Sequence, residues 1–127
     1  MTLILVDTSV WVDHFRRGET RLAEQLERGI VVTHPFVIGE IACGNLSDRS
    51  MVLDLLQELP TVVMADNDEA LGFIERHRLH GKGIGYVDVH LLTSVALTNE
   101  VSLWTHDKRL LSVADDLGLA IHDPCAH

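Results

Sequence analysis

The chain has 127 residues, of which 46% are hydrophobic and 23% are charged, and its formal net charge is −9. This length predicts a single domain over residues 1–127, and this composition excludes disorder because it can fill a core. No apolar run reaches the roughly 18 residues that a membrane span needs, and the start does not resemble a signal peptide, so we expect a cytoplasmic protein with no membrane partner. The acidic balance argues against a polyanion partner unless some of the acids converge on a cation.

Short apolar strands and amphipathic helices alternate along the chain. The elements follow one another as strand 2–6, helices 8–16 and 19–29, strand 30–34, helices 35–44 and 47–60, strand 61–65, helix 66–81, loop 81–86, helix 87–99, strand 101–105, helix 106–118 and a short strand 119–123. This rhythm predicts an α/β fold with a central parallel sheet of four to five strands flanked by helices. Ligands of such sheets lie beyond the carboxyl ends of the strands, so acids at those ends are candidate site residues.

Three aspartates occupy such positions. Asp7 directly follows the first strand, Asp107 follows strand 101–105, and Asp88 heads the apolar stripe of helix 87–99. Each would also serve as an ordinary helix cap or first-turn residue, and for Asp7 alone the cap is the better interpretation. None of the three is decisive by itself.

Glu40 is harder to explain as a structural residue. Its helical neighbours three and four positions away are apolar or small: Phe36, Val37, Cys43 and Gly44. This pattern predicts a carboxylate without a solvated face and without a nearby Lys or Arg, and an unpaired buried charge costs several kcal/mol. We therefore expect Glu40 to join the three aspartates at the sheet edge.

Four converging carboxylates would repel one another unless a cation lies among them. Ligation by oxygen alone favours Mg²⁺ or Mn²⁺ over Zn²⁺. Ions held in this way activate water and stabilise a leaving oxygen, which suits the hydrolysis of phosphodiesters.

Four segments of the chain, in this order, resemble the motifs of PIN-domain ribonucleases and specifically of VapC toxins from type II toxin–antitoxin systems. They are LVDTSVWVDHF, VIGEIACG, GYVDVHLLTSVAL and LWTHDKRL. The resemblance implies a single PIN-like α/β/α domain whose catalytic, metal-binding acids are Asp7, Glu40, Asp88 and Asp107. It also implies supporting hydroxyls at Thr8 or Ser9 and at Thr105.

The same resemblance implies an activity and partners. It predicts Mg²⁺- or Mn²⁺-dependent endonucleolytic cleavage of RNA (tRNA, rRNA or mRNA) that leaves a 3′-hydroxyl and a 5′-phosphate. It further predicts neutralisation by a VapB-like antitoxin whose C-terminal segment covers the site, and a homodimer.

Several basic residues are candidates for RNA phosphate contacts: Arg76, Arg78, Lys82, Lys108 and Arg109. Solvated helix faces explain them equally well. His90 and His106 stand next to proposed site residues, and their participation stays open, although a helical His more commonly packs in the protein. Asp13 is expected to be solvated.

The alternative hypothesis is a non-catalytic interaction domain, either a degenerate PIN-like fold or a receiver-like domain. Receivers carry an acidic pair after the first strand and a phosphorylatable Asp after the third, whereas Asp7 stands alone and TVVMADND offers only acids typical of a helix start. Metal-dependent RNA cleavage discriminates between these hypotheses.

Overall fold

The computed structural model describes residues 2–125. The elements are β1 (Leu3–Val6), α1 (Thr8–Arg17), α2 (Thr20–Glu27), β2 (Val31–Val32), α3 (Pro35–Ala42), α4 (Arg49–Glu58), α5 (Asn67–His77), α6 (Tyr86–Leu97), β3 (Val101–Trp104) and α7 (Lys108–Asp116). This order confirms the predicted alternation and the α/β class.

The sheet is parallel and has β1 at its centre, in the order β2-β1-β3. Leu5 of β1 is in register with Val32 on one side and with Leu103 on the other. All three side chains are at most 3% exposed, as expected for strands covered by helices on both faces.

The prediction of four to five strands is wrong, because the described residues form only three. Segments 61–65 and 119–123 each contribute one isolated parallel bridge, Thr33 to Thr61 and Leu103 to Ala120. After Val62 the backbone N–H groups turn away from the sheet: that of Val63 donates to Thr98 Oγ1 and that of Ala65 donates to Ser94 Oγ. The backbone N–H groups of residues 63 and 65 are thus fixed by Thr98, the C-cap of α6, and by Ser94 of α6 rather than by a neighbouring strand.

The helix ends follow local capping chemistry. Gly18 ends α1 at a φ of 75°, and Asp66 with Glu69 forms a capping box that begins α5. The helix predicted over 47–60 starts later than expected, since α4 begins after Asp48, whose left-handed backbone makes no side-chain cap.

Helix α6 is the central helix of the fold. Seven consecutive residues from Val89 to Val95 are buried, and α6 packs against both β3 and α5. A helix that is enclosed in this way carries apolar side chains on all sides. Its first turn, with Asp88, therefore lies at a fixed position relative to the sheet. Within the described part of the chain, no helix has the length and apolarity to cross a membrane.

Candidate active site at the carboxyl edge of the sheet

Asp7 is both the end of β1 and the N-cap of α1. Its backbone N–H donates to the carbonyl of Trp104 at 2.9 Å, which joins it to β3, and its side chain accepts from the backbone N–H of Ser9 at 3.4 Å. The carboxylate is only 5% exposed. The capping role of Asp7 is therefore compatible with a role as a metal ligand, because only one of its two carboxylate oxygens serves the cap.

Two hydroxyl groups hold the Asp7 carboxylate in place. Ser9 Oγ donates to Asp7 Oδ2 at 2.7 Å, and Thr105 Oγ1 donates to the same oxygen at 2.8 Å. Thr105 Oγ1 also accepts from the backbone N–H of Asp107 at 3.0 Å, and Ser9 Oγ accepts from that of His106 at 3.0 Å. These contacts connect the carboxyl ends of β1 and β3 through side chains rather than through the sheet.

Glu40 lies on the outer face of α3, so the expectation that it lacks a solvated face is wrong. Val37 and Ile41 face the core, whereas Phe36, Glu40 and Cys43 are exposed. Thr8 Oγ1 donates to Glu40 Oε1 at 2.7 Å, which links the start of α1 to α3. Glu40 does reach the sheet edge, but through a solvated face rather than through burial.

Asp88 lies in the first turn of α6 and is half-buried. Its Oδ2 accepts from the backbone N–H of Gly85 at 3.1 Å. Burial is the largest cause that raises the pKa of Asp88 above its ordinary value, while the Gly85 hydrogen bond lowers it. The charges that raise this pKa further belong to Asp7, Asp107 and Glu40, so these three carboxylates lie within electrostatic range of Asp88.

Asp107 is the exposed N-cap of α7. Its Oδ1 accepts from the backbone N–H groups of Arg109 at 2.9 Å and of Leu110 at 3.1 Å. As with Asp7, a capping role uses one carboxylate oxygen and leaves the other available.

The four acids share one property that suits a metal. Each has one oxygen hydrogen bonded to the protein, and the second oxygen has no hydrogen-bond partner among residues 2–125. Carboxylates that are oriented by one oxygen and free at the other resemble metal ligands with their supporting hydrogen bonds. An oxygen-only donor set fits a hard divalent cation.

The four carboxylates are nevertheless farther apart than the ligands of an occupied metal site. Among the described residues, no group of three or more His, Cys, Asp or Glu side chains is close enough together to hold an ion. Glu40 is turned toward Thr8, and Asp107 toward the first turn of α7. The donor chemistry thus fits, and the side chains would have to close inward.

Two of the candidate RNA-contacting cations lie next to this edge. Arg109 packs so tightly on Gly83 that a Cβ atom at Gly83 would lie 2.8 Å from Arg109 Cδ. This contact brings the loop at residues 81–85, with Lys82, against the first turn of α7, which begins at Lys108. Arg78, in a left-handed conformation, ends α5. Arg76 instead lines a groove between α5 and α6 together with acidic residues of α5, so it lies apart from the loop.

The two histidines near the site, His106 and His90, lie in surroundings that explain them as structural residues. His106 Nδ1 lies 2.6 Å from Asp13 Oδ2, and this hydrogen bond is the main cause that lowers the pKa of Asp13. Asp13 is therefore half-buried and paired rather than simply solvated. His90 is 5% exposed, and its Nδ1 has no partner among the described residues.

Sequence reasoning missed three residues at this edge: His34, Phe36 and Tyr86. Buried His34 caps α3, because its Nδ1 accepts from the backbone N–H of Phe36 at 3.0 Å. The spacing of four residues between Phe36 and Glu40 and between Tyr86 and His90 would have indicated that these pairs share helix faces.

Comparison with known proteins shows the family of the chain. The PIN domain family model matches residues 4–116. The chain is 45% identical over 119 residues to ribonuclease VapC32 of Mycobacterium tuberculosis, in an alignment that covers 94% of this chain and 96% of the relative. It is 27% identical over 122 residues to ribonuclease VapC1 of Methanocaldococcus jannaschii, covering 94% and 87% of the two chains.

A solved structure shares the fold. A chain from the structure of FitAB bound to an IR36 DNA fragment superposes with a TM-score of 0.62 at 16% identity, covering 98% of this chain and 97% of that one. At this identity the likeness concerns the fold alone. The family match and the extent of the sequence identity together assign this chain to the PIN-domain family, and within it to the VapC proteins.

Proposed function

We propose that this protein is a VapC-type endoribonuclease toxin that hydrolyses RNA phosphodiesters with Mg²⁺ or Mn²⁺. Four carboxylates, Asp7, Glu40, Asp88 and Asp107, would hold the metal. The observation that carries the proposal is that each of the four has one oxygen fixed by the protein and one free, while the charges of the other three raise the pKa of Asp88. The VapC relatives, which are named as ribonucleases, supply the class of substrate.

A bound divalent cation would supply a Lewis acid for the attack of water and for charge on the leaving oxygen. The protein's own part is orientation. Ser9 and Thr105 fix Asp7, Thr8 fixes Glu40, and the backbone of the first turn of α7 fixes Asp107. These contacts orient one oxygen of each carboxylate in advance, so that metal binding would require only the inward closure of the side chains.

Arg109, Lys82 and Lys108 are proposed to contact phosphates that flank the cut. Arg109 and the loop containing Lys82 lie together through the Gly83 contact. Local cations at this edge would offset the formal charge of −9, part of which belongs to the four acids and would be neutralised by metal. Arg76 and Arg78 belong to the same proposal with less geometric support, since Arg76 lies in a different groove.

A VapB-like antitoxin is the proposed protein partner. An apolar groove of about 480 Å³ runs between α1, α2 and α4, with Trp11, Phe15 and Leu55 in its lining. A neighbouring groove of about 580 Å³ shares Phe15 and reaches Glu40. A chain segment that lies along both grooves would end at the acidic site, which is how neutralisation would operate.

A homodimer acting in the cytoplasm completes the proposal. Val63 is 52% exposed and Met64 is 46% exposed, in the segment that follows the bridge of Thr61 to Thr33. A second copy that covers these side chains would remove them from water.

The decisive experiment uses the purified protein without any partner. We expect structured RNA to be cut with Mg²⁺ or Mn²⁺, to stay intact with chelator, and to stay intact with Asp7→Asn. Exposed Asp54→Asn on α4 is the matched control and should cleave normally. Equal cleavage by wild type and Asp7→Asn would identify a contaminant and would favour the non-catalytic interaction domain.

A second measurement tests the metal without RNA. Mg²⁺ or Mn²⁺ should raise the thermal unfolding midpoint of the wild type, because a ligand that binds only the folded state stabilises it. Glu40→Gln should lose this stabilisation, and an unchanged response would remove Glu40 from the ligand set.

A further inference from the structure

Two exposed aromatic rings flank the acidic edge. The chain has three Phe, two Trp and one Tyr, and of these only Phe36 and Tyr86 are exposed, at 37% and 43%. Both rings contact the same residue, His90: their centroids lie 5.0 Å and 4.6 Å from that of the imidazole. Exposed aromatic side chains in this protein are thus confined to one place.

The rings and the acids come from the same two helices. Helix α3 carries Phe36 and, one turn later on the same exposed face, Glu40. Helix α6 carries Tyr86 and, two residues later, Asp88, whose pKa is raised in part by the charge of Glu40. The contact of Phe36 with His90 therefore joins the exposed face of α3 that carries Glu40 to the first turns of α6, which carry Asp88.

Both rings are held in place by neighbouring side chains. Phe36 packs between His34, at 5.0 Å, and His90. The Tyr86 hydroxyl donates to Asn67 Oδ1, and its ring meets the imidazole of His90 edge-on at 84°. Because two of these supports, His34 and His90, are buried, the exposed ring faces are fixed before any ligand arrives.

We propose that Phe36 and Tyr86 form a stacking subsite for an unpaired nucleobase of the RNA, next to the bond that is cut. This inference rests on the proposed ribonuclease function. Aromatic faces bind any base by stacking, so the subsite selects unpaired over paired nucleotides rather than one sequence. His90 is a positioning residue that holds both rings.

The occupant follows from the surroundings of the rings. The acids on the same helices would hold the metal that meets a phosphate, and Arg109 and Lys82 offer cations at the same edge. When the phosphate of a nucleotide binds at this edge, the base of that nucleotide lies against the neighbouring surface that carries the two rings. A protein side chain seated on the rings is the alternative that the experiment tests.

The test measures binding of fluorescent single-stranded RNA at equilibrium, in proteins that all carry Asp7→Asn so that the RNA stays intact. Phe36→Leu and Tyr86→Leu should each weaken binding about tenfold, as expected for the loss of one base stack. Tyr86→Phe keeps the ring and should bind like the Asp7→Asn parent. Leu71→Ala, which alters a 49% exposed apolar side chain on α5, is the matched control and should also bind normally.

A scan with single abasic nucleotides gives the specific signature. In the parent protein an abasic substitution at one position of the RNA should cost about tenfold in affinity, and in Phe36→Leu or Tyr86→Leu that same substitution should cost nothing further. Thermal unfolding of each variant reports whether it is folded.

Three outcomes would overturn the inference. Parent-like RNA binding by folded Phe36→Leu and Tyr86→Leu removes the subsite and leaves the proposed function intact. A change of oligomeric state in these variants, with parent-like RNA binding, assigns the rings to a protein interface. If the parent does not bind RNA and the wild type does not cleave it, the proposed function fails and the subsite fails with it.

Discussion

At the scale of single residues, the hydroxyl groups around Asp7 determine how well the site is formed. Ser9 and Thr105 both donate to Asp7 Oδ2 and contact each other at 3.2 Å. Residues that orient a metal ligand commonly contribute roughly 10- to 100-fold to metal affinity or activity. Neither hydroxyl would touch the metal in this arrangement, because both occupy the fixed oxygen of Asp7.

We predict that Ser9→Ala lowers RNA cleavage at limiting Mg²⁺ by about tenfold, because Asp7 loses one of the donors that orient it. The measurement is the cleavage rate as a function of Mg²⁺ concentration. Exposed Ser112→Ala on α7 is the control and should leave the rate unchanged. A Ser9→Ala protein with the wild-type Mg²⁺ dependence would contradict the role of the hydroxyl.

His34 makes stability sensitive to acid. Burial is the main cause that lowers its pKa to about 4, with a contribution from the charge of His90. The unfolded chain binds the proton near the ordinary pKa of 6.5, whereas the folded protein does not. The stability that depends on neutral His34 is therefore fully present above pH 6.5 and is lost as the pH falls toward 4.

We predict that the free energy of unfolding falls by up to about 3 kcal/mol between these pH values because of His34. His34→Asn keeps a capping acceptor for α3 and removes the titrating group, so its stability should fall less steeply over the same range. Denaturant unfolding at several pH values measures both slopes. Exposed His80→Asn should show the wild-type slope, and an equally steep decline in His34→Asn would contradict this account.

At the scale of elements, the loop between α5 and α6 packs against a cation of α7, Arg109. Gly83 has a φ of +81° and lies against Arg109 of α7, whereas Gly81 has a φ of +72° with no atom within 4 Å of its Cβ position. Both glycines therefore have a backbone conformation that other residues rarely adopt, but only Gly83 has a side chain packed against its Cβ position. A comparison of alanine variants at the two positions therefore separates the cost of backbone strain from the effect of displacing Arg109.

We predict that Gly81→Ala and Gly83→Ala each lower the free energy of unfolding by about 1–2 kcal/mol, because a Cβ is unfavourable in this backbone region. Only Gly83→Ala should also displace Arg109 and weaken RNA binding, by several-fold. Unfolding by denaturant and RNA affinity are measured for both variants. Equal RNA affinity of the two variants would mean that the Gly83 contact does not serve RNA.

The elements also explain which parts of the fold were predictable. The helices were predicted with small errors at their ends, because their apolar spacing and capping residues are local. The strands at 61–65 and 119–123 were overestimated, because whether an apolar segment pairs depends on its neighbours. Ser94 of α6 accepts from the backbone N–H of residue 65, the C-cap Thr98 accepts from that of residue 63, and no local pattern in residues 61–65 reveals these contacts.

At the scale of the whole molecule, the formal charge of −9 limits how RNA is bound. A chain with few cations makes few phosphate contacts, so the proposed affinity depends on local residues at the sheet edge. Each contact with a single-stranded phosphate contributes about −0.7 to the slope of log affinity against log salt concentration.

We predict that Lys82→Ala weakens RNA binding and makes this slope shallower by about 0.7, with the metal-dependent rise in unfolding temperature unchanged. Exposed Arg49→Ala on α4 is the matched control for the loss of one positive charge. A wild-type salt dependence in Lys82→Ala would place Lys82 outside the RNA-binding surface.

The sequence by itself determined the alternation of strands and helices, the family, and the positions of Asp7, Asp88 and Asp107 at the starts of helices, because these properties reside in local patterns and ordered motifs. It misjudged Glu40, which is exposed and bound by Thr8, because helical neighbours do not determine which face another helix covers. Tertiary structure alone decided the number of strands, the pairing of Ser9 with Thr105, and the ring cluster around His90. Each of these features depends on contacts between residues that are distant in the chain, and only tertiary packing brings such residues together.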